Sequence, residues 1–482
     1  MHDSIIKRLY VALTVIAVVV ICEFQLSSDP LDGFLIIIGV TSLCIVFLKK
    51  TGLDVFSPMT LFALYYAFVY LYFIFLQAIG LERSTFLTNT TFYHNIDYIY
   101  TAALFVCVIS FWCVFAGFFL VSGRHSTRRR VRELGIPGIG GYYFSLFAYI
   151  LFILGLSNFI FNIYIFTDGS IIKYYGGLAT RSQMFRSGGT TLFYQLAYVA
   201  AYMLFIRDLD HARISYRTRL VVILSVLMFA SSGRIIQTLF YALTFVILYY
   251  YNRGEKKLNN KMLMLGAGFV IAGLIIYSLR LLSSIYLSTS LSGELKDFIE
   301  TRGVWMSGYY YVFQKGNVPN IPLLMKIIDS WAIDIGYQYG KTLLFPFYGF
   351  VSPDLNGLIQ MPAVVSKETW YAYSAPIDIP TGTLPVTGMG EMYLNFGWFG
   401  VTFGMFMFGM LGGIVKRLQK IRGNIYLIFY SKFSLFFMLY VKGEFNNFNL
   451  FWMIFPSVCI ILIILCVRSL TLNSHKITYA GN

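Results

Sequence analysis

The chain has 482 residues, of which 58% are hydrophobic and only 12% charged, against about 25% charged in a typical soluble domain. A water-soluble fold cannot hide that much apolar surface, so the composition excludes a soluble enzyme or binding module. The net charge of +15 does not point to nucleic acid, because the basic residues lie in short segments between apolar runs rather than among aromatics on one patch.

Lys7 and Arg8 precede the first apolar run as in a signal peptide. No small-x-small cleavage site follows and further apolar runs come at once, so an uncleaved first helix is expected. The runs fall at about 9–24, 34–48, 59–80, 98–121, 142–166, 190–206, 219–231, 235–251, 262–283, 389–413, 425–441 and 449–466. A span needs roughly 20 residues to cross the ~30 Å of hydrocarbon. The expected fold is therefore an all-α polytopic membrane protein with about twelve transmembrane helices. Taken as one helix, 219–251 would be ~50 Å long, too long for one crossing. The polar break Ser231-Ser232-Gly233-Arg234 predicts two short helices instead. All six cysteines (Cys22, Cys44, Cys107, Cys113, Cys459 and Cys466) lie inside apolar runs and read as small hydrophobes.

Charge orients the spans. With the N-terminus inside, the cytoplasmic segments 1–8, 49–58, 122–141, 207–219, 252–261, 416–424 and 467–482 hold 23 of the 37 Lys and Arg residues. The short outside loops hold six: Arg83, Lys173, Arg181, Arg186, Arg234 and Lys442. Both termini are thus expected in the cytoplasm. The expected organisation is 1–283 as the first nine spans, 284–388 as one large outside loop, and 389–482 as three further spans with a cytoplasmic tail. The loop carries six Lys and Arg against eight Asp and Glu. Within it, Leu323 to Ile335 alternates at helical spacing, as in an amphipathic helix lying on the membrane. No internal repeat is evident, which argues against an inverted-repeat transporter.

Polar residues at membrane depth are costly, and so are the functional candidates. Arg234 would open the helix after the polar break, where free backbone N–H groups and a guanidinium suit a phosphate or pyrophosphate. The alternative is an arginine that merely reaches the outer headgroups. Arg181 and Arg186 lie in a glycine-flanked outside loop, against the positive-inside trend. Glu391 and Asn395 stand four apart in Gly388-Met-Gly390-Glu391-Met-Tyr-Leu-Asn395-Phe-Gly397-Trp-Phe-Gly400, and Thr402 is expected on the same helical face. A carboxylate opening a helix at the outer mouth of the bundle could serve as a base, or could simply cap the helix. Gly400-x-x-x-Gly404 and Gly409-x-x-x-Gly413 should let neighbouring helices approach closely. Arg280, near the outer end of its helix, and Arg302, in the large loop, are weaker candidates.

The twelve-span plan, the arginine loop, Ser-Gly-Arg at a helix break, the large outside loop and Gly-x-Gly-Glu-x-Tyr-x-Asn-Phe-Gly-x-x-Gly together resemble the bacterial oligosaccharide repeat-unit polymerases, the Wzy-type O-antigen and capsule polymerases. The resemblance implies an enzyme of the bacterial cytoplasmic (inner) membrane with its active face in the periplasm. Its substrates would be oligosaccharides on undecaprenyl pyrophosphate, joined by moving the growing chain from its lipid to the terminal sugar of an incoming unit. It implies no metal and no other cofactor, and it implies a chain-length regulator and a flippase as partners. In these terms Arg234 and Glu391 are catalytic, while Arg181, Arg186, Arg280, Arg302 and Asn395 bind substrate.

Two other readings compete. An O-antigen ligase shares the plan but is expected to use a histidine in the large outside loop, and no histidine stands between His211 and His475. A flippase or transporter of lipid-linked oligosaccharide would explain the spans, yet these spans read as lacking the charged residues an ion-coupled carrier needs.

Overall fold

The protein is described by a computed structural model covering residues 35–36, 39, 55–78, 95–122, 142–170, 195–210, 214–231, 235–253, 321, 324–325, 327–331, 336–343, 387–421, 424–441 and 462. Among the described residues there is no β-strand. The helices are α1 (Pro58–Ala78), α2 (Ile96–Ser122), α3 (Tyr142–Thr167), α4 (Leu196–Asp210), α5 (Tyr216–Ser231), α6 (Ile235–Arg253), α7 (Gly388–Phe399), α8 (Met405–Ile421) and α9 (Asn424–Leu439). A π-helical turn occupies Ile327–Trp331 and a second, Gly400–Gly404, links α7 to α8. Each α-helix matches an apolar run read from the sequence. The runs at 9–24, 262–283 and 449–466 lie outside the described residues except at Leu462, and only Leu35, Ile36 and Gly39 represent the run at 34–48.

Local chemistry sets the helix ends. Ser57 caps α1 by accepting from the Thr60 amide at 3.2 Å, ahead of a proline in the first helical position. Asn95 accepts from the Tyr98 amide at 3.2 Å before α2, and Ser215 accepts from the Thr218 amide at 3.3 Å before α5. After α3 the chain leaves the helix through Asp168 and Gly169, with φ of 52° and 80°. The break expected within 219–251 falls at 232–234, outside the described residues, between α5 ending at Ser231 and α6 beginning at Ile235.

Among the described residues, three stretches are long and apolar enough to cross a membrane: Ile96–Ser122, Phe144–Phe166 and Gly388–Arg417. On α3, Leu146, Ile150, Ile153, Leu154, Ile160 and Phe161 are exposed. An apolar face of that kind on a long helix suits hydrocarbon rather than water.

The chain forms two compact units, 1–129 with 317–420 and 433–455, and 130–316 with 421–432 and 456–482; the division falls within α9. In the first unit, Phe62 of α1 packs on Phe111 of α2 and Phe437 of α9, with ring centroids 6.1 and 5.3 Å away. Phe437 in turn stacks on Phe408 of α8 at 4.4 Å. Small residues bring α8 against α2. A Cβ on Gly409 would collide with the Val114 carbonyl, and one on Gly413 would lie 2.7 Å from the Phe118 carbonyl oxygen. Gly400 and Gly404 behave differently from expectation: they face Met392 of α7, the helix just before them, rather than a separate helix.

In the second unit, α3 meets α4 where Gly155 faces Ala197. Tyr202 of α4 stacks on Phe245 of α6 with centroids 4.8 Å apart. At the end of α4, Asp208 accepts from the Ser215 amide at 2.7 Å and from the Arg207 guanidinium at 2.6 and 2.9 Å. Burial pushes the Asp208 carboxyl up, but these donors and the Thr218 hydroxyl outweigh it and hold the group below its ordinary value.

The helical turn expected between Leu323 and Ile335 is found, but Leu324, Met325, Ile327 and Asp329 are buried in the bundle. Leu323, Lys326 and 332–335 of that expected amphipathic helix lie outside the described residues. Cys107 and Cys113 are free thiols on α2, the former buried, as expected of small hydrophobes.

Candidate functional site

Glu391 stands in the first turn of α7 and is 2% exposed. Thr387 caps that helix, accepting from the Gly390 amide at 3.0 Å through its side chain and from the Glu391 amide at 2.7 Å through its carbonyl.

Both carboxylate oxygens accept a hydroxyl. Thr342 donates to Oε1 at 2.9 Å and Tyr440 donates to Oε2 at 3.1 Å. Asn395, one turn further along α7 and fully buried, ties the cluster together. Its Nδ2 donates to Thr342 Oγ1 at 2.6 Å and to the Glu391 carbonyl at 2.8 Å, while its Oδ1 accepts from the Gly340 amide at 2.8 Å. The segment 336–343 is thus clamped along α7, with the Gln338 and Tyr339 amides donating to the Leu394 and Asn395 carbonyls, both at 3.0 Å. On the other side the Gly388 amide donates to the Tyr440 carbonyl at 3.0 Å. A Cβ on Gly388 would strike Tyr440, so the glycine is required for this approach.

Glu391 and Asn395 thus meet as their four-residue spacing indicated, but Thr402 does not join them. The helix breaks at Gly397, whose φ of 58° and ψ of −140° are closed to other residues. After the break the chain packs back on Met392, and Thr402 bonds the Trp398 carbonyl at 2.9 Å instead. Tyr337 covers the break, its hydroxyl oxygen 3.0 Å from where a Cβ on Gly397 would sit.

Arg181, Arg186, Arg234, Arg280 and Arg302 lie outside the described residues. Sequence reasoning missed Thr342 and Tyr440, each 49 residues from Glu391, because neither belongs to a motif. It also missed Lys432, a buried lysine in the middle of α9. The apolar run at 425–441 therefore does not lack charge. Tallying Lys and Arg by loop would have found it, since Lys432 and Arg280 are the two that no loop accounts for.

Among the described residues no three His, Cys, Asp or Glu side chains come together as a metal site. Glu391 with its two hydroxyl partners can instead take up or give a proton, which is the chemistry of a general base or acid. No protein-family model matches the chain, and neither a curated protein nor a solved structure is similar enough to count as a match.

Proposed function

We propose that the protein is a multi-span glycosyltransferase of the bacterial inner membrane that polymerises undecaprenyl-pyrophosphate-linked oligosaccharide repeat units. About twelve spans would cross the membrane, with both termini in the cytoplasm and the loop 284–388 in the periplasm. The carrying observation is the buried Glu391 carboxylate, held at a helix start by hydroxyls on both oxygens, within the glycine-rich run on which the resemblance rests. In this reading an acceptor sugar hydroxyl gives its proton to Glu391 while its oxygen attacks the anomeric carbon of the growing chain. The bond from that carbon to pyrophosphate breaks, and the lipid pyrophosphate leaves with both bonding electrons. Arg234, with Arg181, Arg186, Arg280 or Arg302, would offset the charge on the leaving group. Thr342, only partly buried, is the donor that a substrate hydroxyl can displace from Oε1.

A second reading, a flippase for the same lipid-linked oligosaccharides, is favoured by one observation: the buried cation Lys432 within a span. Deleting the gene in its host and resolving surface polysaccharide by gel separates the two. A polymerase leaves single repeat units on the surface or on their lipid, and Glu391→Gln reproduces that pattern. A flippase leaves no surface polysaccharide and traps the units inside the cell, an outcome that sinks the polymerase reading.

A further inference from the structure

Lys432 is 4% exposed, and its ammonium sits over two tyrosine faces in the second unit, 4.7 Å from the centroid of Tyr202 and 5.3 Å from that of Tyr241. Among the described residues it makes no ion pair. The rings are themselves fixed. Tyr241 donates to Ser225 at 3.1 Å, and Tyr202 stacks on Phe245. The buried Tyr202 hydroxyl lies beside the Thr244 hydroxyl, which donates to the Phe240 carbonyl at 2.9 Å.

An ammonium buried with no ion-pair partner among the described residues has two remedies: it loses its proton, or an anion joins it. The lining decides between them. Ring faces carry negative quadrupole potential and attract a cation, whereas a neutral amine gains little from them. Two such faces on one Nζ therefore mark a position built for the charged form. Ring faces supply no hydrogen-bond acceptors in the plane of a salt bridge, so the donors still need an oxyanion. The geometry points to Lys432, flanked by Tyr202 and Tyr241, as a binding site for an oxyanion of the phosphate class, carried either by a lipid headgroup or by a soluble phosphate compound. A lone ammonium addresses phosphate as a compact point charge, without the planar fork that selects carboxylates. The site lies in the second unit and does not depend on the role given to Glu391.

The test uses the full chain in phosphatidylcholine nanodiscs, with inorganic pyrophosphate as the soluble probe and added phosphatidylglycerol as the lipid probe. Thermal melting and native mass spectrometry read the binding. The wild type should be stabilised by at least one probe, the soluble one identifying a free phosphate ligand and the lipid one a headgroup. Lys432→Met should melt no lower than wild type without a probe, because it removes an unpaired buried charge, yet bind at least about tenfold more weakly and carry one phosphate fewer. Lys432→Arg should retain binding. Lys432→Gln stands in if the methionine variant fails to fold. The inference is overturned if neither probe stabilises the wild type, or if the charge-free variant binds as tightly as wild type.

Discussion

Replacing Thr342 with valine keeps the shape of the side chain and removes only its hydroxyl. Two hydrogen bonds go with it: the one given to Glu391 Oε1 at 2.9 Å and the one accepted from Asn395 Nδ2 at 2.6 Å. A hydrogen bond to a charged group contributes about 1.5–3 kcal/mol and a neutral one about 0.5–1.5 kcal/mol. The Asn395 amide keeps its second acceptor, the Glu391 carbonyl, so its loss falls at the low end of that range. Thr342→Val should therefore cost roughly 2–4 kcal/mol. Thr342→Ser, which retains the hydroxyl, should recover most of the loss. Tyr440→Phe removes a single, longer bond to Oε2 and should cost less than Thr342→Val. Cys107, a free and buried thiol in the same unit, supplies the assay. With it as the only cysteine, a thiol-reactive dye reports unfolding as the detergent-solubilised protein is heated. Wild-type melting in Thr342→Val, or equal losses in the serine and valine variants, would show that this hydroxyl does not hold the carboxylate.

Other substitutions test the fold and the second unit. Gly409→Ala should separate α2 from α8 and cost about 1–3 kcal/mol, because the new Cβ meets backbone, whereas Gly404→Ala meets only the flexible Met392 side chain and should melt near wild type. Gly397→Ala forces a side chain into a glycine-only conformation under Tyr337 and should lower the melting temperature, by about 1–3 kcal/mol of strain. The Asp208 carboxyl is held below its ordinary value of 3.8, so the stability it adds is fully present above that pH and fades as pH falls through the lower folded value. Asp208→Asn should accordingly flatten the acid limb of a melting-temperature profile while lowering stability at neutral pH. An unchanged acid limb would remove Asp208 from the account.

The helices were legible in the sequence because a long uncharged apolar run is at home only in hydrocarbon or a buried core, and polar breaks such as Ser231 to Arg234 stand out within it. The pairing of Glu391 with Asn395 was legible too, since four residues make one helical turn. The bend at Gly397 was hidden, because Asn395-Phe-Gly397-Trp-Phe-Gly400 has the same pattern whether a glycine admits a neighbouring helix or turns the backbone. Thr342 and Tyr440 were hidden for a different reason: contacts across 49 residues on either side leave no local periodicity. Lys432 escaped because one charge scarcely changes the apolar character of the run around it.

Tyr440 holds α7 twice, through its carbonyl to the Gly388 amide and through its hydroxyl to Glu391. During synthesis this makes the cluster a late product. Glu391 leaves the ribosome 49 residues before the side chain that fixes its second oxygen. A nascent chain stalled anywhere in that interval carries the α7 sequence but lacks the hydroxyl that fixes the second oxygen, so the carboxylate is completed only after Tyr440 has been made.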